Sequence, residues 1–220
     1  MIIAAYHEQA AIGEVVRGLI DAGWGDVVVV DDGSADDTAA AARAAGAHVL
    51  VHPINRGQGA ALQTGITWAL SEGAEVLVTF DADGQHRVED LPAMVAPIQQ
   101  GEVHACLGSR FLEHADAIPL SRRILLRGAV LFSRVMSGAS LTDAHNGYRA
   151  LSRQMAQRLD ITLDRMAHAS ELIDQVVRSG LPWREVSVRV RYTDYSRAKG
   201  QRAGAAFRIV FDYLMGRMLG

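Results

Sequence analysis

Short apolar runs alternate with helical patterns along the first half of the chain. Five runs are continuously apolar rather than alternating, which is typical of strands that are covered on both faces. They occupy residues 2–5, 27–30, 48–51, 76–80 and 103–107, and helical patterns occupy residues 9–22, 36–45 and 57–70. This order predicts an α/β fold, with a mostly parallel central sheet, right-handed crossovers and flanking helices. From about residue 120 the pattern is mainly helical, with a loop at 142–147 and a strand-like stretch at 186–190.

Polar residues follow each of the first four predicted strands. Ligands of such sheets bind beyond the carboxyl ends of the strands, so these residues are expected at one edge. They are Tyr6, His7 and Glu8, then Asp31 and Asp32, then Asn55, Arg56 and Gly57, and finally Asp81 and Asp83.

The stretch FDADGQH places two carboxylates, Asp81 and Asp83, directly after a buried strand. Two carboxylates at this spacing can hold one hard cation, and Gln85 adds a neutral oxygen. Mg²⁺ or Mn²⁺ suits such a set, with water and substrate phosphates completing the coordination. An ordinary solvated turn is the structural alternative.

Two further loops follow buried strands. In VVVVDDGSADDT, Ser34 or Asp36 can cap the next helix, but capping does not explain Asp31 and Asp32, whose carboxylates could accept hydrogen bonds from a base or a ribose. In NRGQGAALQTG, glycines at a loop-to-helix junction could bring free N–H groups such as that of Gly57 to a phosphate. Neither a P-loop nor a dinucleotide fingerprint is present.

Composition narrows the class of protein. At 220 residues, with 49% hydrophobic and 21% charged residues, the chain is expected to form one globular domain. One cysteine, Cys106, and the lack of a signal peptide or membrane span favour the cytoplasm. Residues 1–109 carry a charge of −11 and residues 110–220 a charge of +8. Nucleic acid is not expected as a partner, because no binding motif or aromatic platform accompanies the basic residues.

The ordered set AYHE, VVDDGSADDT, NRGQGAALQTG, FDADGQH, GSRF and TDAHNGYRA resembles the family 2 inverting glycosyltransferases with the glycosyltransferase A fold. Within that family the chain is most similar to the polyprenyl-phosphate glycosyltransferases, such as dolichol-phosphate mannose synthase. The resemblance extends from Ala5 to about Gln201. It implies a Rossmann-like nucleotide-binding half and an acceptor half.

The resemblance also implies roles for single residues. Tyr6, Glu8 and Asp32 match nucleotide contacts, with Asp32 as the acid that meets the base. Asp81, Asp83 and Gln85 match the site of a diphosphate-bound metal. The predicted nucleotide-binding set is completed by Gly57, Asp81 and Ala82.

Basic residues of the second half match phosphate and acceptor contacts. Arg110 and Arg123 match phosphate contacts, although Arg122 or Arg127 could take the role of Arg123. The stretch YSRAKGQ, which contains Arg197 and Lys199, resembles a mobile basic loop of the family. Asp143 matches the acid near the sugar and the acceptor, so the predicted catalytic set is Asp83, Asp143 and Arg110. Gln58 and Ala198 depart from the family pattern, where Lys and Ser are usual.

The expected function is metal-dependent, inverting transfer of a sugar from a nucleotide diphosphate sugar to polyprenyl phosphate, either undecaprenyl or dolichyl. A saccharide hydroxyl is the alternative acceptor. The alternatives of other classes are a sugar nucleotidyltransferase and a non-catalytic module that binds sugar nucleotides.

The expected organisation is one catalytic domain over residues 1–204, in which 1–109 hold the donor and metal and 110–204 hold the acceptor. Residues 205–220 show the apolar spacing of an amphipathic helix, which is too short and too charged to span a bilayer. We expect it to rest on the inner face of the membrane or on a small membrane protein. Packing on the protein's own core is the alternative.

Overall fold

The fold is given by a computed structural model that describes residues 1–112, 141–143, 146–163 and 167–191. The strands are β1 Ile2–Ala5, β2 Val28–Asp31, β3 His48–Val51, β4 Val76–Thr79, β5 Ala105–Ser109, β6 Arg149–Ser152 and β7 Trp183–Ser187. The helices are α1 Ile12–Asp21, α2 Thr38–Ala44, α3 Gln58–Ser71, α4 Leu91–Gln99, α5 Arg153–Ala156 and α6 Ala167–Arg178, with a 3₁₀ turn at Val88–Asp90.

The strands of the described residues form one seven-stranded sheet in the order β3-β2-β1-β4-β6-β5-β7. All neighbouring pairs are parallel except those of β6, which runs antiparallel to both β4 and β5. The predicted mostly parallel sheet is therefore confirmed. The chain proceeds from β1 through β2 to β3 on one side and resumes with β4 on the other side of β1, so the order reverses between β1 and β4. A crevice opens at such a reversal in open α/β sheets.

Apolar side chains leave both faces of the sheet. On β1, Ile3 belongs to a cluster with residues of α1, α2 and α4, whereas Ile2 belongs to a second cluster with residues of α3, α5 and α6. Adjacent strand residues point to opposite faces, so one continuous apolar run supplies both cores. This arrangement explains why β1 and β2 show no alternation in the sequence. The edge strand β3 departs from the prediction, because Val51 is 51% exposed and the strand is not covered on both faces.

The boundaries of several predicted elements differ from the sequence pattern. β5 covers Ala105–Ser109 where the pattern predicted residues 103–107, and α2 begins at Thr38 rather than at residue 36. The first helix begins at Ile12 rather than near residue 9, because the Glu8 carbonyl accepts from the Ala11 and Ile12 N–H groups in a preceding turn. The last strand of the sheet, β7, ends at Ser187, although Val190 forms an isolated bridge with His86. Within the described residues, no helix has the length and apolar character that crossing a membrane requires.

Close packing of α3 on β1 makes Gly65→Ala a test of the fold. A Cβ at Gly65 would lie 2.4 Å from Ile2 Cγ2, whereas a Cβ at Gly18 of α1 would meet nothing within 4 Å. We expect Gly65→Ala to lower the free energy of unfolding by about 1–3 kcal/mol through overpacking. Gly18→Ala is the matched control and should raise it by up to about 1 kcal/mol. Urea unfolding measures both, and equal effects would contradict the packing.

Candidate functional site

A cleft of about 410 Å³ lies beyond the carboxyl ends of β1, β2 and β4. The first half of the chain supplies most of its polar lining, and residues after β5 supply the rest. The polar and glycine residues that line it are Tyr6, Glu8, Asp32, Asn55, Gly57, Gln58, Asp81, Asp83, Gly147, Arg149 and His168. Ala82 lines it as well. Most of the polar residues that the sequence predicted at this edge therefore line one cleft, but His7, Asp31 and Arg56 do not. Asp31 was expected to accept from a base or a ribose, and its Oδ1 instead accepts from the Ser34 N–H at 3.0 Å.

The two carboxylates after β4 differ in electrostatic environment. Burial by itself raises the pKa of Asp81, but the charges of His86, Arg149 and His168 outweigh burial and hold it below its usual value. The Asp81 Oδ2 atom lies 2.8 Å from His86 Nε2. Burial, together with the charge of Asp81, raises the pKa of Asp83. A cation between the two carboxylates would offset the charge of Asp81 that acts on Asp83.

The donor set therefore fits a hard divalent cation. Within the described part of the chain no cluster of three His, Cys, Asp or Glu side chains could hold a metal, so the protein offers two carboxylates. Mg²⁺ is commonly held by one or two carboxylates together with water and substrate phosphates. Gln85, predicted as a neutral third ligand, is not among the described residues of the cleft lining and contacts Asp83 instead. Its backbone N–H donates to Asp83 Oδ1 at 3.0 Å and its Nε2 to Oδ2 at 2.6 Å.

Asp32 is buried at the end of β2 and organises the loop before α3. Its Oδ1 accepts from the Arg56 N–H at 2.9 Å and contacts His52 Nδ1 at 2.7 Å, and its Oδ2 accepts from the Gly57 N–H at 2.7 Å. The Gly57 N–H is thus engaged and is not free for a phosphate, contrary to the expectation from the loop sequence. A carboxylate has about four acceptor positions, so one on Oδ2 remains for a ligand.

The contacts predicted after β1 lie at the mouth of the cleft. The Tyr6 side chain is 45% exposed and makes an edge-on ring contact with His7. His7 has a φ of 54°, and its N–H donates to the Ser34 hydroxyl. The Glu8 N–H donates to Thr38 Oγ1. These bonds join the β1 loop to the start of α2 and hold Tyr6 and Glu8 beside the cleft.

Gly147 is needed for its lack of a side chain. A Cβ there would lie 2.4 Å from Asp81 Oδ1, and the Thr79 hydroxyl donates to the Gly147 carbonyl at 2.6 Å, which fixes the backbone. The Asp81 carboxylate therefore rests on the Gly147 backbone. The TDAHNGYRA segment thus shapes the edge of the cleft at which Asp81 lies.

We expect Gly147→Ala to lower the sugar transfer that the sequence motifs predict by about 10- to 100-fold, because displacing Asp81 by a fraction of an ångström misplaces a predicted metal ligand. Steady-state kinetics over a Mn²⁺ titration measures the effect, which should include a higher metal requirement. Gly18→Ala, in open space on α1, is the control. An unchanged metal requirement in Gly147→Ala would contradict this account.

Arg110 and Asp143 form a bidentate ion pair. Arg110 Nε donates to Asp143 Oδ2 at 2.6 Å, Arg110 Nη2 donates to Oδ1 at 2.8 Å, and the Arg110 backbone N–H donates to Oδ2 at 3.1 Å. Asp143 is buried, and Glu185 accepts from its N–H and from that of Thr142. Among the described residues, this pair is not part of the cleft lining. The two residues that the resemblance assigns to separate contacts are a single unit in the structure.

Arg149, on β6, is a site residue that sequence analysis did not single out. It is 2% exposed and lines the cleft beside Asp81. Burial lowers its pKa to about 10, so the guanidinium remains charged at neutral pH. Sequence analysis could have identified Arg149 from its place at the end of the TDAHNGYR motif, whose Asp143 was already predicted to be a site residue. Three predicted phosphate or acceptor contacts, Arg123, Arg197 and Lys199, lie outside the described residues, as do Arg122, Arg127 and the helix predicted at 205–220.

Comparisons with known proteins agree with the sequence motifs. The model of the glycosyl transferase family 2 matches residues 1–160. A UDP-N-acetylglucosamine–dolichyl-phosphate N-acetylglucosaminyltransferase of Methanococcus voltae is 29% identical over 99% of this chain and 95% of its own length. An undecaprenyl-phosphate mannosyltransferase of Micrococcus luteus is 31% identical over 92% of this chain and 86% of its own.

A solved structure shares the fold. Glucosyl-3-phosphoglycerate synthase from Mycobacterium tuberculosis, in complex with Mn²⁺, UDP-glucose and phosphoglyceric acid, aligns with a TM-score of 0.69 at 23% identity. The alignment covers 98% of this chain and 78% of that one. The fold that surrounds the cleft is therefore shared with this solved structure.

Proposed function

The chain belongs to glycosyl transferase family 2, and on this premise we propose that it transfers a sugar from a nucleotide diphosphate sugar to polyprenyl phosphate. The observation that carries the proposal is the pair of carboxylates, Asp81 and Asp83, in the cleft that Tyr6 and Asp32 also line. The names of the relatives from Methanococcus voltae and Micrococcus luteus specify dolichyl phosphate and undecaprenyl phosphate. Both names support a lipid phosphate as the acceptor.

The donor nucleotide is proposed to lie along the ends of β1 and β2. The exposed part of the Tyr6 ring offers a surface for the base, and the remaining acceptor position on Asp32 Oδ2 offers a partner for an N–H group of that base. Asp81 and Asp83 then face the diphosphate. Every group in this placement lines the same cleft.

A divalent cation is proposed as the cofactor, either Mg²⁺ or Mn²⁺, with Asp81 and Asp83 as its protein ligands. When bound, it would neutralise charge that develops on the departing nucleoside diphosphate. Gln85 keeps Asp83 oriented through two hydrogen bonds, and Gly147 leaves room for the Asp81 carboxylate. The protein's part is to hold two carboxylates in fixed positions before the substrate arrives.

The state of Asp143 favours a phosphate acceptor over a saccharide hydroxyl. A phosphate is already ionised at neutral pH and needs no strong general base, whereas a hydroxyl must lose its proton during attack. Both oxygens of Asp143 accept hydrogen bonds from Arg110, so this carboxylate serves as a counter-ion. Asp143 is also not among the described residues of the cleft lining, which a base for a bound hydroxyl would have to reach.

Product identification tests the proposal. Purified protein is incubated with Mn²⁺ or Mg²⁺, a panel of UDP-, GDP- and dTDP-sugars and a short-chain polyprenyl phosphate, and mass spectrometry follows the products. We expect a polyprenyl phosphate sugar and a free nucleoside diphosphate. Polyprenol, which lacks the phosphate, is the matched control acceptor and should remain unmodified. A saccharide product, or release of diphosphate as from a nucleotidyltransferase, would refute the proposal.

The work of the enzyme is proposed to take place at a membrane surface, because polyprenyl phosphate is a lipid of the bilayer. Residues 178–220 carry a sequence charge of +6, which would favour anionic headgroups. The product assay is therefore run with the acceptor in anionic and in neutral vesicles at two salt concentrations. Faster transfer on anionic vesicles, lost at high salt, is the expected outcome.

A further inference from the structure

Arg149 holds a buried positive charge at an unusual place. It begins β6, in register with Thr79 of β4 and Leu107 of β5, so it lies in the middle of the sheet. Its side chain is among the largest of the fully buried ones. Arginine is rarely buried without a partner, because desolvating an ionised group is costly.

The charge of Arg149 is only partly compensated within the protein. None of the carboxylates in the described ranges lies within 4.0 Å of its guanidinium, and its Nη1 is buried without a hydrogen-bond partner. Asp81 and Asp143 are near enough to favour its charged form. Both are committed elsewhere, however, since Asp81 Oδ2 contacts His86 and Asp143 binds Arg110.

A buried donor without a partner, in the lining of an open cleft, indicates a place for a ligand acceptor. The ligand must supply anionic oxygen, because only an anion offsets the buried charge, and a phosphate oxygen forms a short, charge-assisted bond with a guanidinium. The cleft that Arg149 lines also contains Asp81 and Asp83. A cation bound by these two carboxylates would face the same anionic group as the Arg149 guanidinium.

We infer that Arg149 is a phosphate-binding residue, whose Nη1 donates to a non-bridging oxygen of a substrate phosphate in the cleft. This inference rests on the proposed function and extends it to a residue of the second half of the chain. The donor diphosphate is the nearer source of that oxygen, since Asp81 and Asp83 are proposed to hold the metal that meets it. Because the guanidinium is fixed in the sheet, it would stabilise the charge that develops on the leaving diphosphate without reorganisation.

Calorimetry on Arg149→Met tests the inference without requiring transfer. We expect Arg149→Met to bind UDP and GDP at least about 30-fold more weakly than the parent, and to bind uridine and guanosine, which lack phosphate, equally well. The apo variant should melt at or above the temperature of the parent, because a poorly compensated buried charge has been removed. Nucleoside diphosphate affinity within about 3-fold of the parent, with unchanged acceptor kinetics, would overturn the inference.

Further arms identify the source of the phosphate and guard against a folding artefact. If Arg149→Met raises the KM for polyprenyl phosphate and leaves nucleoside diphosphate binding intact, the oxygen belongs to the acceptor. Arg149→Lys keeps the charge and decides the matter if Arg149→Met does not fold. Arg149→Lys should bind nucleoside diphosphates at least about 5-fold more weakly than the parent, because an ammonium cannot reproduce the guanidinium geometry. Parent-like nucleoside diphosphate affinity and a parent-like KM for polyprenyl phosphate in both variants would overturn the inference.

Arg153→Met is the matched control, because Arg153 is partly buried but donates to the backbone carbonyls of Leu70 and Ala74, away from the cleft. It should lose stability and keep its nucleotide affinity. The proposed function is judged separately. A parent that binds nucleoside diphosphate but transfers no sugar to polyprenyl phosphate would refute the function and leave the assignment of Arg149 in place.

Discussion

The Asp83→Asn variant is expected to fold normally and to lose sugar transfer by at least about 1,000-fold. Burial, together with the charge of Asp81, already disfavours ionised Asp83 in the metal-free protein. Removing one of the two charges therefore relieves repulsion and leaves the melting temperature unchanged or slightly higher. The same change removes a charge from the proposed metal site, where a bound cation would supply several kcal/mol of transition-state stabilisation. Each 1.4 kcal/mol corresponds to a factor of ten in rate.

Three measurements on Asp83→Asn distinguish loss of metal from loss of fold. Thermal melts report the fold, calorimetric titration with Mn²⁺ in the presence of nucleoside diphosphate reports the metal, and a product assay reports transfer. Asp37→Asn applies the same chemical change to an exposed acid outside the cleft lining and should behave like the parent. The metal site is refuted if Asp83→Asn turns over like the parent, or if a chelator leaves the parent fully active.

Asp143→Asn is expected to lower transfer by about 100-fold or more while affinity for free nucleoside diphosphate changes by less than about 3-fold. Asp143 holds Arg110 through two side-chain bonds and is not among the described cleft residues. Without the carboxylate the guanidinium loses its fixed orientation, and an error of about 1 Å in a positioned group can cost about 100-fold in rate. Breaking the pair should also lower stability by about 1–3 kcal/mol.

A double-mutant cycle shows whether Arg110 and Asp143 act as one unit. If they do, Arg110→Met, Asp143→Asn and the double variant should lose similar amounts of transfer, because residues that act together are not additive. Asp174→Asn is the control for loss of an ion pair, since it breaks the 3.0 Å contact with Arg178 on α6 and should not affect transfer. If calorimetry shows that Asp143→Asn loses nucleotide affinity by the same factor by which the product assay shows it loses transfer, the prediction that Asp143 acts on the acceptor side is wrong.

The first four strands and the contents of the cleft edge were predictable from local sequence. A continuous apolar run such as that at residues 76–80 can be buried only if both faces of the sheet are covered, and this requirement acts on every residue of the run. Polar residues directly after such a run must lie at the carboxyl edge of a parallel sheet. The placement of Tyr6, Asp32, Asp81 and Asp83 follows from these two rules and from the direction of the chain.

The sequence did not predict how the carboxylates and cations of the site are paired. The position of Asp32 in the sequence predicts a ligand-binding acid, yet donors from residues 52, 56 and 57 take three of its roughly four acceptor positions. Arg110 and Asp143 are 33 residues apart along the chain and meet only because their loops converge. A hydrogen bond between distant residues depends on the folded path of the backbone, which no local pattern records.

Local sequence thus determined the parallel half of the sheet, its two apolar faces and the acidic edge. Burial dictates which positions of a strand are apolar, and the direction of the strand dictates at which edge the next polar residues lie. Only the tertiary structure decided that β6 enters antiparallel between β4 and β5. Four residues beginning with a charged Arg149 do not form an apolar run, and strand pairing across some 70 residues is set by the packing of the whole sheet. The insertion of β6 brings the Gly147 backbone into contact with the Asp81 carboxylate and places Arg149 in the cleft lining. A buried positive charge therefore lies beside the acidic residues of the cleft.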